Sequence, residues 1–260
     1  MKVLVTGAAG SIGRTLVRGL PAAGHELRGL DLVAADTDGC ALGWVTGDCL
    51  DPAVASEAVR GVDAVVHLAG NPDEDSLPAS LESHVHATAR LLDAMVEHGV
   101  GRIVYASSNH AVGQTPRSEL LTTHVPPRPD TFYGVAKVAA EALLSLYADR
   151  HGIAATALRI GTFEERPSTV RALSTWLSPD DAVRLADAAA RRTSGGLEVV
   201  YGVSANTRGW WDLRPGRALG YDPQDDAETY ADLVAPRPED DDDAAHVGGP
   251  FVTDPPRPAF

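Results

Sequence analysis

Within the first twenty residues an apolar run, Lys2 to Val5, passes into Thr6-Gly-Ala-Ala-Gly-Ser-Ile-Gly13, and a helical pattern, Arg14 to Leu20, follows at once. Strand, glycine turn, helix is an order that few architectures accommodate. Gly7, Gly10 and Gly13 allow a tight bend and let backbone amides approach a pyrophosphate at the helix N-terminus, with Ser11 and Ile12 in the same cradle. The alternative is a βα turn that is glycine-rich for its own geometry. In this context the spacing predicts the opening unit of a dinucleotide-binding sheet. The expected fold is α/β: a Rossmann-type doubly wound parallel sheet with a small C-terminal substrate lobe. The 260 residues fit one large domain. It is expected over 1–233, with the nucleotide part to about 160 and the lobe from about 161 to 233. A Pro- and Asp-rich tail, 234–260, follows, and its run Glu239-Asp-Asp-Asp-Asp243 is expected to be solvated and mobile.

The next segments extend the same pattern. Glu26 to Leu30 reads as the second strand, with Asp31 at its end. A carboxylate there accepts hydrogen bonds from both ribose hydroxyls and repels a 2′-phosphate. Ser11 follows Gly10 and Leu32 follows Asp31, so no basic residue stands ready for that phosphate, and NAD is preferred over NADP. Gly43 to Asp48 reads as a third strand. Asp48 is placed for the adenine edge, or as a helix N-cap, a role for which Asp51 competes. Asp63 to Gly70 is a near-continuous apolar strand of the buried parallel kind, with Leu68, Ala69 and Gly70 bordering the cofactor. His67 reads as a core histidine. Asn71 to Ala79 is a polar loop that could border a substrate, and a helix is expected from about Ser80 to His98. His84 and His86 are expected to be partly exposed on it; two residues apart, they share no face, which argues against a metal site.

Composition narrows the function classes. A net charge of −14 and a pI near 4.9 speak against a nucleic-acid partner. No apolar run reaches membrane-spanning length, and Met1-Lys-Val-Leu-Val enters a strand directly, so a soluble cytoplasmic protein is expected. Cys40 and Cys49 have neither metal-ligand spacing nor the look of a disulfide framework. The only lysines among 22 basic residues are Lys2 and Lys137.

Lys137 stands four residues after Tyr133, which puts both side chains on one helical face. Apolar residues at helical spacing from Val135 to Tyr147 support that helix, and Asp130 is its expected N-cap. An ammonium beside a phenol favours the phenolate, so Tyr133 reads as a general base or acid. Upstream, the strand Gly101 to Ala106 runs into Ser107-Ser-Asn-His110. Ligands in open α/β sheets bind beyond the carboxyl ends of the strands. Ser108 could therefore share a reacting oxygen with Tyr133, and Asn109 and His110 could contact sugar hydroxyls. A polar turn that only caps the strand is the alternative.

The glycine turn, the strand-end serine and Tyr133-Gly-Val-Ala-Lys137 together resemble the short-chain dehydrogenase/reductase superfamily, in its extended branch. More particular stretches resemble the uronate dehydrogenase family: Ala106 to His110, Phe132 to Lys137, Leu158 to Phe163, Leu173 to Asp181, Val199 to Asp212 and Gly248 to Val252. The resemblance runs collinearly over nearly the whole chain. It implies NAD-dependent oxidation of D-galacturonate or D-glucuronate at C1, giving an aldaric acid lactone. It makes Tyr133 the base, Lys137 its partner and a ribose contact, and Ser108 the group that polarises the reacting oxygen. Asn109, His110 and Thr162 become substrate contacts, and Arg171 the clamp on the uronate carboxylate. Thr162 replaces a family serine, and Pro72 stands where the family often has a serine that touches substrate. Homo-oligomers are expected from related enzymes. The competing expectations are a nucleotide-sugar epimerase or dehydratase that keeps NAD bound, and an NAD-sensing protein without catalysis.

The remaining expectations concern the lobe. Thr122 to Asp130 is a Pro-rich loop, Ile153 to Ile160 a sixth strand and Leu197 to Tyr201 a seventh. Asp180 to Arg192 reads as a helix capped from Ser178, and Trp210 and Trp211 as packing residues of the small lobe.

Overall fold

The structure is a computed structural model and describes residues 1–34, 39–118, 120–253 and 259–260. The nucleotide half contains β1 (Lys2–Thr6), α1 (Ser11–Gly19), β2 (Glu26–Asp31), β3 (Trp44–Thr46), α2 (Pro52–Val59) and β4 (Ala64–His67). Then come α3 (Leu77–Leu81), a π-helical turn (Glu82–His86), α4 (Ala87–His98), β5 (Arg102–Ser108), α5 (Phe132–His151) and β6 (Ala154–Ile160). The lobe adds β7 (Thr162–Phe163), α6 (Ala172–Thr175), β8 (Trp176–Leu177), α7 (Pro179–Ala190), β9 (Gly196–Gly202), α8 (Arg214–Ala218) and α9 (Asp240–Ala245).

The main sheet has seven strands in the order β3-β2-β1-β4-β5-β6-β9, paired in parallel throughout. The chain builds outward from β1 to β3, then returns to β4 on the other side of β1. That reversal opens a crevice at the carboxyl ends of β1 and β4, where ligands of doubly wound sheets bind. Alternate strand residues serve opposite faces, as the period of two requires. Val3, Val5, Val66 and Val104 pack with α1 and α7. Leu4, Val65, Ile103 and Tyr105 pack with α2, α4 and α5. With helices covering both faces, the strands carry no polar face, and β6 is buried at every residue.

Helix ends follow local chemistry. Ser178 caps α7 by accepting from the Asp181 amide, and Asp51 caps α2 by accepting from the Ala53 amide. At α5 the cap is Thr131, whose Oγ1 accepts from the Gly134 amide, and not Asp130 as expected. Asp130 is drawn away because both its oxygens accept from His110 Nδ1, at 3.0 and 2.9 Å. The helix expected from Ser80 starts earlier, at Leu77, with Ser76 as cap, and is interrupted by the π turn.

Trp210 and Trp211 stack at 4.0 Å and pack with Val112, Leu121, Tyr201 and Val247, as expected of lobe residues. The expectation of a solvated acidic run fits Glu239, Asp241 and Asp242, which are exposed, and is corrected for Asp240 and Asp243. Arg237 lies inside the run's reach and gathers it: one guanidinium nitrogen meets Asp240 at 3.1 Å and Asp243 at 2.7 Å. Neutralised this way, Asp240 and Asp243 are buried within α9. Beyond it, Val247 is fully buried and the Ala259 carbonyl accepts from the Leu77 amide at 3.1 Å. Residues 254–258 of the expected tail lie outside the described residues. Among the described residues no helix is long and apolar enough to cross a membrane, no cluster has a metal-ligand set, and both cysteines are free and buried.

Candidate active site

A cavity of about 780 Å³ occupies the crevice, within the range of small-molecule and cofactor sites. Its walls include every residue expected to contact the cofactor: Gly7, Gly10, Ser11, Ile12, Gly13, Asp31, Asp48, Leu68, Ala69, Tyr133 and Lys137. The glycine turn fits a dinucleotide for a steric reason. Gly7 has φ +65°, and a Cβ there would come within 2.8 Å of the Ala69 amide nitrogen. A Cβ on Gly13 would collide with the Gly7 carbonyl. Side chains are therefore excluded where backbone must approach a phosphate. Asp31 takes the Ala9 amide at 2.9 Å and the Val33 amide at 3.3 Å, which ties the end of β2 to the turn. Each carboxylate oxygen has a second lone pair that can serve a ribose hydroxyl. Asp48 lines the same wall and accepts from the Leu50 amide at 2.9 Å, leaving the capping of α2 to Asp51.

Ser108, Tyr133 and Lys137 open onto the other end of this cavity. Lys137 is buried on the same face of α5 as Tyr133. Its ammonium donates to the Ala106 carbonyl at 2.7 Å and sits 5.1 Å from the Tyr133 ring centre and 4.9 Å from that of Tyr105. Glu74 holds the start of α5 in place: its two oxygens accept the Phe132 and Tyr133 amides, each at 2.9 Å. A carboxylate at a helix N-terminus is favoured by the helix dipole.

The titration of this pair departs from expectation. Burial pushes Tyr133 up to about 12, against a hydrogen bond from Ser108 that lowers it. Burial pushes Lys137 down to about 7, opposed by Glu141 one turn further along α5. The phenol is thus not acidified by its neighbour in the protein alone, because desolvation disfavours both charged forms.

The expected sugar contacts divide. Ser108 and Tyr133 line the cavity, whereas Asn109, His110, Thr162 and Arg171 do not; Arg171 lines a separate cavity of about 380 Å³ with Arg117, Trp210 and Asp240. Asn109 accepts from Ser108 at 3.2 Å and donates to the Val247 carbonyl at 3.0 Å. Arg171 donates to that same carbonyl from Nη2 at 2.6 Å, while its Nε is buried without a partner. Burial lowers the Arg171 pKa, against the pull of Asp243 and Asp130. His110 stands edge-on between Tyr133 and Phe251, with ring centres 5.9 and 4.9 Å away. Thr162 shares a hydrogen bond of 2.7 Å with Thr175. The segment His246 to Val252 therefore packs against Asn109, His110 and Arg171.

Three residues near the centre were not anticipated. Glu74 is one. His84 is buried, not partly exposed as expected, because the π turn carries it inward against Tyr133, with ring centres 5.1 Å apart. Glu141 is the third; Arg159 grips it at 3.0 and 2.8 Å, and Ser107 donates to it at 2.6 Å. His67, by contrast, is the core histidine the sequence suggested, fully buried between the Thr6 and Thr88 hydroxyls and pushed down to about 3 by burial and then by Lys137.

Residues 3–172 match the NAD dependent epimerase/dehydratase family. The chain belongs to that family. Within it, the chain falls with the uronate dehydrogenases. It is 38% identical to uronate dehydrogenase of Agrobacterium fabrum over 98% of this chain and 97% of that one. It is 36% identical to the Pseudomonas putida enzyme, covering 96% and 95% of the two chains. Among solved structures, a tyrosine-to-alanine variant of uronate dehydrogenase from Agrobacterium tumefaciens complexed with NAD superposes with a TM-score of 0.91 at 38% identity. That match covers 100% of this chain and 98% of the other.

Proposed function

We propose that this protein oxidises a hexuronic acid, D-galacturonate or D-glucuronate, at C1 with NAD as oxidant and releases the aldaric acid lactone. The observation that carries this reading is the shared cavity: Tyr133, Lys137 and Ser108 face the same space as the glycine turn and Asp31. NAD, when bound, supplies the hydride acceptor. Tyr133 takes the proton of the C1 hydroxyl as the C1–H bond gives up its electron pair. Ser108 donates to the same oxygen and fixes its position. Lys137 offers an ammonium that offsets the phenolate, and donors for the ribose hydroxyls. Asp31 favours NAD over NADP by repelling a 2′-phosphate.

Arg171 supports an acid over a neutral sugar. Nε and Nη2 form one edge of the guanidinium, and that edge meets only the single Val247 carbonyl, leaving Nε without an acceptor. A carboxylate would satisfy both donors by parallel charge-assisted bonds. Asn109, His110 and Thr162 belong to the same sugar end in this reading. The protein works as a cytoplasmic homo-oligomer in this reading; Val96 on α4 and Leu146 on α5, both exposed, support an interface there.

The test is to mix purified protein with NAD and galacturonate, glucuronate or a neutral aldose and to follow NADH absorbance between pH 7 and 9. NADH formation with a uronate, lost in Arg171→Met through a raised KM, is expected. Turnover on the neutral aldose alone would defeat the sugar-acid assignment.

A further inference from the structure

The imidazole of His84 has one nitrogen accounted for and one not. Nε2 lies 2.8 Å from the Asn71 carbonyl oxygen. A carbonyl can only accept, so Nε2 carries the proton, and in the neutral ring Nδ1 is a bare acceptor. Nδ1 is buried and has no donor, on a residue that is only 2% exposed. An unfilled buried acceptor is unfavourable, and native structures rarely keep one without use.

The residues around this acceptor belong to the cavity. His84, Gly70, Tyr133 and Lys137 all belong to the cavity wall. Gly70 covers the nitrogen: it has φ +147°, and a Cβ there would stand 2.5 Å from Nδ1. Any side chain at position 70 would therefore collide with this nitrogen, and only glycine lets the chain pass so close. The π turn Glu82–His86 interrupts the α3–α4 helix at this residue, and such turns recur at functional sites. The ring is kept neutral chiefly by burial and then by Lys137, which together push it down to about 3.

We propose that Nδ1 of His84 accepts a hydrogen bond from a hydroxyl of the guest bound beside Tyr133, which makes His84 a binding residue of this site. The inference rests on the proposed function, since both guests it implies, the cofactor ribose and the sugar acid, carry such hydroxyls. The two sources share one chemistry and separate by experiment.

Two variants of the full chain make the test. His84→Phe keeps a flat ring edge-on to Tyr133 and removes the acceptor. His84→Gln retains a donor for Asn71 and an oxygen for the guest. Thermal melts establish that each is folded, and calorimetry gives the NAD Kd. In His84→Phe, the NAD Kd or the KM for the sugar acid should rise about fivefold, the ratio one ordinary hydrogen bond carries, and His84→Gln should restore most of it. A rise confined to Kd assigns the cofactor ribose; one confined to KM assigns the sugar. A folded His84→Phe with both constants unchanged overturns the inference.

Should His84→Phe fail to fold, wild-type protein labelled with 15N-histidine decides instead. The Nδ1 resonance of His84, identified by its loss in His84→Gln, should move upfield on saturation with NAD or with NAD and the sugar acid. A resonance that stays fixed while calorimetry shows saturation defeats the inference and leaves the proposed function standing. Absence of NAD binding would defeat both.

Discussion

Replacing Glu141 by Gln tests how the active-site helix is anchored. Arg159 meets the two Glu141 oxygens with Nε at 3.0 Å and Nη2 at 2.8 Å, and Ser107 adds a bond of 2.6 Å. The side chains are 4% and 8% exposed, so water can replace little of what is lost. Glutamine fills the same space but leaves the guanidinium without a counter-charge. Breaking one side of a buried pair costs about 3–5 kcal/mol. For a chain of this length 1 kcal/mol moves Tm by roughly 2 °C, so Glu141→Gln should melt about 6–10 °C lower. Removing both charges together, as Glu141→Leu with Arg159→Met, should recover at least half of that loss, because the double change also removes the need to desolvate ions. Circular dichroism melts at pH 7.5 of wild type, both single variants and the double variant provide the measurement. A Glu141→Gln protein that melts within 1 °C of wild type, or a double variant less stable than either single one, would refute the reasoning.

The other predictions concern protons and the cofactor. Lys137 has a folded pKa depressed from 10.5 to about 7, so wild-type stability drops as pH falls from 10.5 to 7; Lys137→Met lacks that drop, and its Tm relative to wild type should be more favourable at pH 7 than at pH 9.5. The same sign applies to His67, depressed from 6.5 to about 3: the stability it contributes is present above pH 6.5 and disappears as pH falls toward 3. Urea midpoints of His67→Gln should therefore fall less steeply with acid than those of wild type, and parallel curves would count against a neutral buried ring. Tyr133→Phe should lower kcat by about 10²–10⁴; near-normal turnover would remove Tyr133 from the role of base. Asp31→Ser should improve use of NADP relative to NAD, read as the ratio of kcat/KM values, and an unchanged ratio would detach Asp31 from cofactor choice.

The cofactor end was legible because its chemistry is local. Gly7, Gly10 and Gly13 with the flanking strand and helix fix the turn, and Asp31 follows from strand length alone. Tyr133 and Lys137 were equally readable, since a four-residue spacing on a helix needs no tertiary information. The expected sugar contacts were legible only as a list of residues. Asn109, His110 and Arg171 meet partners from positions 130 and 247, and nothing in their own neighbourhoods announces Val247 or Asp130. His84 was misplaced because a regular helix was assumed, and one widened turn rotates every later side chain relative to the ones before it. Asp240 and Asp243 of the acidic run were misjudged because composition counts charges but not the position of Arg237, which gathers these two. The pKa of Tyr133 was misjudged because spacing shows proximity to a lysine but not the burial that acts on both.

The Val247 carbonyl joins Asn109 to Arg171 across sequence separations of 138 and 76 residues. A polypeptide ending at Ala245 already owns the glycine turn, the sheet and the tyrosine, yet lacks the acceptor shared by Asn109 and Arg171. Ending the chain before Val247 would therefore leave Asn109 and Arg171 without their shared acceptor, while the contacts of Asp31 with the glycine turn stay in place.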